Sequence, residues 1–304
     1  MASKSFAVVV INYNGEKFLE KCFESLLLAQ GIDDNFDIYL LDNHSSDDSA
    51  SLTKRKFPKV KIIQTGGNLG FSGAYNYAHK FFKESKIDYD YYYILNNDTI
   101  TTDTGIFQRI KKLFEKDENI GIINPTVLNQ DGSIQFQIGD FYFLTGTTIS
   151  HNRGAYESAN KLAQSKWSTG AALFIRSSVF EEIGGFDDYF MYMEDVALSW
   201  KALNLGYEVV CDFGSSIVHA HDGTKKAAEF SHYYSERNRL LMYWQNLSSI
   251  FFFCFLPFFI IIRFSVILAW FILKDQNAKI ALSIAKDFQL LKYFHSNPKV
   301  THLK

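Results

Sequence analysis

The stretch from Tyr91 to Thr99 constrains the fold more than any other part of the chain. An uncharged aromatic and branched run, Tyr91 to Leu95, is followed at once by Asn96, Asn97 and Asp98. Such a run predicts a strand buried on both faces, as in a parallel sheet covered by helices. Ligands of open α/β sheets bind at the carboxyl ends of the strands, and Mg²⁺ prefers carboxylate and diphosphate oxygens. Asp98 is therefore a candidate metal ligand, and the alternative is an ordinary Asn/Asp turn.

Three earlier segments repeat this pattern of an apolar run, a polar loop and a helix. The runs Phe6 to Ile11, Phe36 to Leu41 and Val60 to Gln64 are predicted strands. Strands that alternate with helices predict an α/β fold with a mostly parallel central sheet, right-handed crossovers and flanking helices. The following loops then meet at one edge and predict a nucleotide pocket; they are Asn12-Tyr13-Asn14, Asp42-Asn43, Asn68-Leu69-Gly70 and Asn97-Asp98.

Beyond Asp98 the pattern changes. A predicted helix is followed by a strand from Ile120 to Asn124, which we expect Pro125 to end, and a hairpin is predicted at Asp131-Gly132. Residues 152–166 have no clear period and are predicted to form a loop. The remaining predictions are a strand over 167–175, helices over 177–183 and 196–205, and strands over 207–211 and 216–218.

Composition excludes several classes of protein. Hydrophobic residues make up 47% of the 304 residues, which predicts a substantial core, and a net charge of -2 gives no reason to expect a nucleic-acid partner. The three cysteines, Cys22, Cys211 and Cys254, lie far apart in the sequence, so neither a disulfide framework nor a zinc site is indicated. The first residues do not resemble a secretory signal, and we expect a reducing, cytoplasmic location.

The carboxyl-terminal region has a different composition. Residues 250–273 are apolar except for Pro257, Arg263 and Ser265, and this length is sufficient to cross a bilayer. Arg263 near the middle disfavours a simple spanning helix. Residues 278–294 have the pattern of a basic amphipathic helix, and residues 274–304 carry a net charge of +4. We expect membrane association, with a buried helix pair or a dimer interface as the alternatives.

Three further side chains are candidates for chemistry. Glu194 and Asp195 lie at the predicted start of a helix, where acidic residues are common on dipole grounds, but a carboxylate among aromatic residues can also act as a general base. His219 follows a predicted strand and is either a metal or phosphate contact or a structural histidine, with His221 as the rival.

Several of these segments together resemble a known family. They are VVVINYNG (8–15), YLLDNHSSDDS (39–49), NLGFSGAYN (68–76), YILNNDT (93–99), the stretch 168–207 with GGFDDYFMYMED, VHAHDGT (218–224) and YYSERNRLLMY (233–243). In this order and spacing they are similar to the family 2 inverting glycosyltransferases of GT-A fold, especially the rhamnosyltransferase-like branch. The resemblance covers about residues 5–245.

The resemblance implies a nucleotide-diphosphate-sugar donor, most simply a dTDP- or UDP-sugar, and Mg²⁺ or Mn²⁺ as cofactor. Asp98 matches the last acid of the family's DxD motif, whose first acid is Asn96 here, which leaves room for His219 as a further metal ligand. Asp195 matches the general base of the Glu-Asp motif. The other implied contacts are Asp42 with the base or ribose, Asn12 and Asn14 near the base, Asn68, Gly70 and Asn97 near the sugar phosphates, Glu194 and Trp167 with acceptor or sugar, and Arg237 with the diphosphate or a closing loop.

The sequence therefore predicts a catalytic domain over residues 1–245 and a membrane-associating helical segment over 246–304. The predicted function is transfer of one sugar to a saccharide or lipid-linked acceptor in cell-surface polysaccharide synthesis, at the cytoplasmic face of the cell membrane. The alternatives are a nucleotidyltransferase and a non-catalytic, membrane-bound nucleotide-sugar-binding protein.

Overall fold

A computed structural model describes residues 4–29, 36–152, 162–220 and 225–272. The amino-terminal half contains β1 (Lys4–Asn12), α1 (Glu16–Ala29), β2 (Phe36–Asp42), α2 (Ser49–Lys56), β3 (Lys61–Gln64), α3 (Gly70–Glu84), β4 (Tyr89–Asn96), β5 (Thr99–Thr101), α4 (Ile106–Lys116) and β6 (Ile120–Leu128). The remainder contains β7 (Ile134–Phe136), β8 (Ile138–Tyr142), β9 (Thr147–His151), β10 (Leu162–Gln164), β11 (Ala172–Arg176), α5 (Ser177–Ile183), α6 (Glu194–Asn204), β12 (Glu208–His219), α7 (Lys225–Asn246) and α8 (Ser249–Ile272).

The central sheet has the order β10-β12-β6-β11-β4-β1-β2-β3. Strands β3, β2, β1 and β4 are mutually parallel, and β6 and β12 run in the same direction, because β11 is antiparallel to both β4 and β6. One face is covered by α1, α2 and α4 and the other by α3, α5 and α6. The predicted α/β fold with a mostly parallel sheet and flanking helices is confirmed.

The prediction that Pro125 ends a strand is wrong. Strand β6 continues through this buried proline to Leu128. Pro125 is the partner of Asp212 in β12, and the register shifts between Asp212 and Ser216. On its other side, pairing with β11 ends at Ile123. A proline lacks the N–H that a ladder requires, so it is tolerated beside a bulge where that donor is not needed.

Three further boundaries differ from the predictions. The strand predicted from Trp167 begins at Ala172, and Trp167 forms only an isolated bridge with Gly139. The predicted loop 152–166 contains β10, and the two strands predicted within 207–218 are one continuous, bulged strand, β12. The predicted hairpin at Asp131-Gly132 is present between β6 and β7. His221 and the predicted helix over 278–294 lie outside the described residues.

Helices α7 and α8 share a third cluster of buried side chains with α6 and the segment before it. Tyr189, Met193 and Val196, from α6 and the segment before it, contact α7 residues such as Tyr243 and α8 residues such as Phe255. In the described part of the chain, α8 alone has the length and apolar composition needed to cross a membrane.

Candidate active site

A cleft of about 840 Å³ opens at the carboxyl edge of β1, β2 and β4. The residues singled out from the sequence that line it are Asn68, Gly70, Asn96, Asn97, Asp98, Trp167, Glu194, Asp195 and His219. Aromatic side chains complete the walls, namely Tyr13, Phe71, Phe190, Tyr192, Phe230 and Tyr234. Acids that are 97 positions apart in the sequence, Asp98 and Asp195, therefore face one cavity.

Asp98 and His219 form the polar centre of this cleft. His219 Nε2 lies 3.2 Å from Asp98 Oδ1, and both side chains are mostly buried. The pairing of β5 with β12 brings them together, since Thr99 is the register partner of His219. On the other side of the ring, Nδ1 lies 2.7 Å from the carbonyl-type oxygen Oε1 of Gln135. With this amide orientation Nδ1 would donate to the Gln135 oxygen, and a neutral ring would then carry its lone pair on Nε2.

This arrangement fits a divalent cation that is shared with a bound substrate. In the neutral tautomer two electron-pair donors, Nε2 of His219 and Oδ1 of Asp98, face each other, and a cation between them would satisfy both. Within the described residues no group of three or more His, Cys, Asp and Glu side chains could hold a metal. Mg²⁺-type sites with one or two protein ligands take their remaining ligands from substrate phosphates and water.

Asp195 is held by backbone donors at the start of α6. The Gly170 N–H donates to Oδ2 at 2.9 Å, and the Val196 N–H donates to Oδ1 at 2.8 Å. Burial raises the pKa of Asp195 above its ordinary value, and the two backbone N–H groups oppose that shift. Each carboxylate oxygen keeps a further lone pair for a hydroxyl in the cleft.

Glu194, beside it, is buried more deeply. It is 5% exposed, and its Oε2 has no hydrogen-bond partner among the described residues although it lines the cleft. Burial and then the neighbouring charge of Asp195 raise the pKa of Glu194 well above its ordinary value. Such a carboxyl group takes up a proton more readily than an exposed glutamate, and in its protonated form it can donate a hydrogen bond.

The predicted base-binding residues belong to a polar network at the strand ends beside the cleft. Asn97 Nδ2 donates to Asn12 Oδ1 at 2.6 Å, and Asn12 Nδ2 donates to Ser45 Oγ at 3.0 Å. Asn14 has a left-handed backbone, with φ of 51°, and its Oδ1 accepts from the Ser46 N–H. Asp42 is 3% exposed and accepts from the Ser45 N–H at 3.2 Å. Asn12, Asn14 and Asp42 are not among the residues that line the cleft.

Asn43, which the sequence placed in a predicted pocket loop but to which it assigned no role, organises the loop before α3. Its Nδ2 donates to Asn68 Oδ1 at 3.1 Å and to the Gly70 carbonyl at 3.0 Å, and its Oδ1 accepts from the Leu69 N–H at 2.9 Å. Asn43 also lines the cleft. Its position directly after Asp42 at the end of β2 was the only signal in the sequence.

The segment before α6 has a strained backbone. Phe190, Tyr192 and Met193 have φ values of 67°, 69° and 70°, in the left-handed region that non-glycine residues rarely adopt. This segment touches the start of α3, because the Phe71 N–H donates to the Phe190 carbonyl. A Cβ at Gly70 would lie 2.2 Å from that carbonyl oxygen, so the close approach requires glycine.

Two buried residues of α7 hold this segment in place. Asn238 Nδ2 donates to the carbonyls of Tyr189, Met191 and Tyr192 at 3.1, 2.7 and 2.8 Å. Arg237 Nη2 donates to the same Tyr189 carbonyl at 2.9 Å, and its Nε donates to Asn238 Oδ1. Arg237 is 5% exposed and does not line the cleft. Of the two roles predicted for Arg237, these contacts fit the bracing of the loop.

Curated relatives of the chain are rhamnosyltransferases. The N-acetylglucosaminyl-diphospho-decaprenol L-rhamnosyltransferase of Mycobacterium tuberculosis is 26% identical over 233 residues, which is 70% of this chain and 75% of the relative. The rhamnosyltransferase WbbL of Escherichia coli is 26% identical over 202 residues, which is 63% of this chain and 74% of the relative.

Solved glycosyltransferases share the fold at low sequence identity. The mannosyltransferase PcManGT of Pyrobaculum calidifontis, in complex with GDP-Man and Mn²⁺, has a TM-score of 0.59 at 14% identity and covers 97% of this chain and 83% of its own. GalNAc-T7 with UDP, GalNAc and Mn²⁺ has a TM-score of 0.62 at 15% identity; the match covers 83% of this chain and half of the length of that one. The expected GT-A fold is confirmed.

A family model also matches the sequence directly. Residues 7–184, more than half of the chain, match the model described as Glycosyl transferase family 2. These residues include the strand ends around Asn12, Asp42 and Asp98 that form one side of the cleft. The chain therefore belongs to glycosyltransferase family 2, and the predicted glycosyltransferase function is confirmed.

Proposed function

We propose that the protein is a cation-dependent, inverting glycosyltransferase that uses a nucleotide-diphosphate-sugar donor. The observation that carries this proposal is the cleft in which the Asp98–His219 pair and Asp195 lie together. The first provides ligands for a cation bound to a diphosphate, and the second provides a base for a hydroxyl nucleophile. A cation-dependent transfer with inversion uses both groups, and they come from separate elements, since His219 ends β12 and Asp195 lies in the first turn of α6.

On the donor side, Asp98 and His219 would hold Mg²⁺ or Mn²⁺ together with the diphosphate oxygens. Bound there, the cation supplies positive charge that stabilises the departing diphosphate. Asn68 and Gly70 line the cleft at the amino terminus of α3, where the positive end of the helix dipole favours an anionic group. The N–H groups of Leu69, Gly70 and Phe71 already have acceptors within the protein. A hydrogen bond from His219 Nδ1 to Gln135 would keep the Nε2 lone pair directed at the cation.

On the acceptor side, Asp195 takes the proton of the acceptor hydroxyl. That oxygen attacks the anomeric carbon from the face opposite the diphosphate, the bond to the diphosphate breaks, and the configuration inverts. A pKa raised by burial makes Asp195 a stronger base than an exposed aspartate. In its protonated form Glu194 could donate a hydrogen bond to the sugar or acceptor, and Trp167 also lines the cleft.

The base and ribose would lie toward the strand ends of β1 and β2. Tyr13 is 52% exposed there and lines the cleft, so its ring can stack on a base. Asn12, Asn14 and Asp42 lie in the loops at these strand ends, and the Asp42 oxygens, which accept from Ser45 and Gln64, keep further lone pairs for a ribose hydroxyl. Because Asp42 is 3% exposed, this contact would require neighbouring side chains to move. We propose a dTDP- or UDP-sugar as the donor.

The acceptor we propose is a saccharide or a lipid-linked saccharide of a cell-surface polysaccharide. The Mycobacterium tuberculosis relative is named for a diphospho-decaprenol acceptor, and an apolar helix, α8, packs beside the cleft helix α7. We therefore propose that residues 1–245 form the catalytic domain and that residues 246–304 attach it to the cytoplasmic face of the membrane.

A non-catalytic nucleotide-sugar-binding protein is the second candidate, favoured by the fixed, hydrogen-bonded Asn network at the strand ends. The two candidates separate in one experiment. Thermal unfolding is followed with UDP-, dTDP- and GDP-sugars, with Mn²⁺ and with EDTA, and the stabilising donor is then assayed for transfer and hydrolysis. We expect stabilisation that needs Mn²⁺ and turnover of the donor. Stabilisation without any turnover would support the binding protein instead.

A further inference from the structure

Helix α8 is fixed to the catalytic domain along one face. Phe252, Phe255 and Phe259 are at most 9% exposed and recur at three and four residues, the spacing of one helix face. The Phe255 and Phe259 rings lie 4.8 and 5.3 Å from the ring of Tyr243 on α7. Farther along, the Arg263 guanidinium pairs with Glu236 of α7. The helix is therefore attached over most of its first four turns.

The rest of the α8 circumference is apolar and exposed. The large apolar side chains that are more than half exposed are Ile250, Phe251, Phe253, Phe258, Ile260, Ile261, Phe264 and Ile272. They form two adjacent stripes beside the attached face, and the described part of these stripes carries no charged side chain. An apolar surface of this extent marks a site for a membrane or another protein.

A second element continues this surface. The tip of the β8–β9 hairpin exposes Tyr142, Phe143 and Leu144, which are 50%, 40% and 63% exposed. The Phe143 ring lies 4.9 Å from the ring of Phe255, so the tip flanks α8 although more than a hundred residues separate the two in sequence. Exposed apolar side chains from two unrelated parts of the chain thus form one surface, which we name the α8 surface.

Crossing a bilayer is incompatible with the attachment. At 1.5 Å per residue, the stretch from Phe252 to Arg263 is about 17 Å long, more than half of a hydrocarbon core of about 30 Å. If this stretch crossed the core, the neighbouring part of α7, with Glu236, Arg237 and Arg239, would enter it too. Charged groups there are strongly disfavoured.

We propose that α8 lies flat in the interface of an anionic phospholipid bilayer, with its attached face toward the catalytic domain and the α8 surface in the lipid. The charge of the next segment favours an anionic bilayer as the partner of the α8 surface. Residues 274–304, which follow α8 in the sequence, carry a net charge of +4. A second copy of the chain would not use that charge, because it carries the same sign.

This position has a consequence for the acceptor. Tyr234 and Ser235 line the cleft, and the next residue on α7, Glu236, contacts Arg263 of α8. Thr148 of β9, the strand that leaves the hairpin tip, also lines the cleft. The cleft would therefore stand directly above the lipid headgroups, within reach of a saccharide whose lipid remains in the bilayer. This inference extends the proposed membrane association, but its test requires no donor and no turnover.

The test measures how deeply spin labels on α8 enter the bilayer. The full chain is bound to vesicles of equal parts phosphatidylglycerol and phosphatidylcholine. Cys254 is an exposed residue of α8, whereas Cys22 and Cys211 are buried and burial raises the pKa of each thiol to about 12, so a nitroxide reagent labels Cys254 selectively. In a Cys254→Ser background, single cysteines replace Phe251, Phe258 and Ile261. We expect the four labels to have the same shallow depth within about 5 Å, since one stripe of a flat helix stays at one level.

A spanning helix would instead change the label depth by about 15 Å between positions 251 and 261, and that gradient would overturn the proposal. Water-accessible labels, or labels protected by dimerisation in the absence of vesicles, would overturn it as well. A Lys80→Cys control, on an exposed position of α3, should remain in water.

The hairpin tip provides a test that leaves α8 unchanged. Leu144→Ser should weaken vesicle binding by about fivefold, as expected for removing one leucine that is partly buried in lipid. The matched control is Leu28→Ser on α1, where the leucine is 72% exposed and far from α8 in the fold; this variant should bind vesicles like the unmodified chain. Equal effects of the two substitutions would contradict the assigned surface. Thermal stabilisation by the donor, measured on the same variants, reports separately on the proposed enzyme site.

Discussion

Replacement of Asn238 by alanine tests whether α7 holds the strained segment of the cleft. Asn238 is fully buried, and its side chain bonds to three carbonyls of that segment and to Arg237. The Tyr189 carbonyl would keep its bond from Arg237, whereas the Met191 and Tyr192 carbonyls and the Arg237 Nε would each lose a partner. At about 1 kcal/mol for each bond, Asn238→Ala should lower the free energy of unfolding by about 3 kcal/mol.

The functional effect should exceed the loss of stability. Left-handed conformations at Phe190, Tyr192 and Met193 cost about 1 to 3 kcal/mol each and persist only while their surroundings hold them. Without Asn238 we expect the segment to relax, which displaces Phe190 from Gly70 and moves Asp195 at the start of α6. Urea unfolding gives the stability change, and calorimetry and transfer assays on the folded protein give donor affinity and turnover.

Asn246→Ala is the matched control. Asn246 is a buried asparagine of the same helix, but its short hydrogen bond is to the Met242 carbonyl one turn earlier, and its contact with Asp187 is 3.5 Å long. Its replacement should cost about 1 kcal/mol or less and leave turnover nearly unchanged. If Asn238→Ala were no more destabilising than Asn246→Ala, or kept full turnover while folded, the bracing role would be refuted.

Two further predictions concern the carboxyl groups of the cleft. The pKa of Glu194 is raised in the folded protein, so the stability associated with this group is complete below its unfolded value near 4.5 and is lost as pH rises through the folded pKa. As pH rises from 4 to 8, the free energy of unfolding of Glu194→Gln, measured with urea, should therefore increase relative to that of the unmodified chain. A difference between the two proteins that does not change with pH would contradict this. Asp98→Ala and His219→Ala should each weaken donor binding by about tenfold or more in the presence of Mn²⁺, as measured by calorimetry. In EDTA the same substitutions should weaken donor binding much less. An equal loss of affinity in both conditions would argue against a shared cation.

Much of the fold could be predicted because burial leaves a periodic trace in the sequence. The uncharged run before Asn96 and the apolar faces of α1 and α4 gave their elements directly. Asp98, Asp195 and His219 could be singled out as candidates, since carboxylates and histidines after strands or at helix starts are conspicuous, and their roles stay predictions. These three residues line one cleft, whereas Asp42 is buried and is not among its lining residues.

The parts that escaped prediction depend on partners that are distant in sequence. Pro125 is accommodated by a bulge in β12, nearly ninety residues later. Asn43, Gln135 and Asn238 act through amide groups whose partners, a neighbouring loop, a histidine ring and three backbone carbonyls, are set by the folded chain. Amides on strands, loops and helices have no spacing that distinguishes such a role from ordinary solvation.

The most direct test of the account is a comparison of donor binding and sugar transfer in one preparation of Asp195→Asn. The amide keeps the shape of the side chain but cannot take up the acceptor proton, and Asp98 with His219 remains in place for the donor. We predict a donor dissociation constant within about twofold of the unmodified protein and a rate of transfer lower by a factor of about 100 to 10,000. Transfer at an undiminished rate, or loss of donor binding to the same degree as transfer, would contradict the assignment of Asp195 as the base.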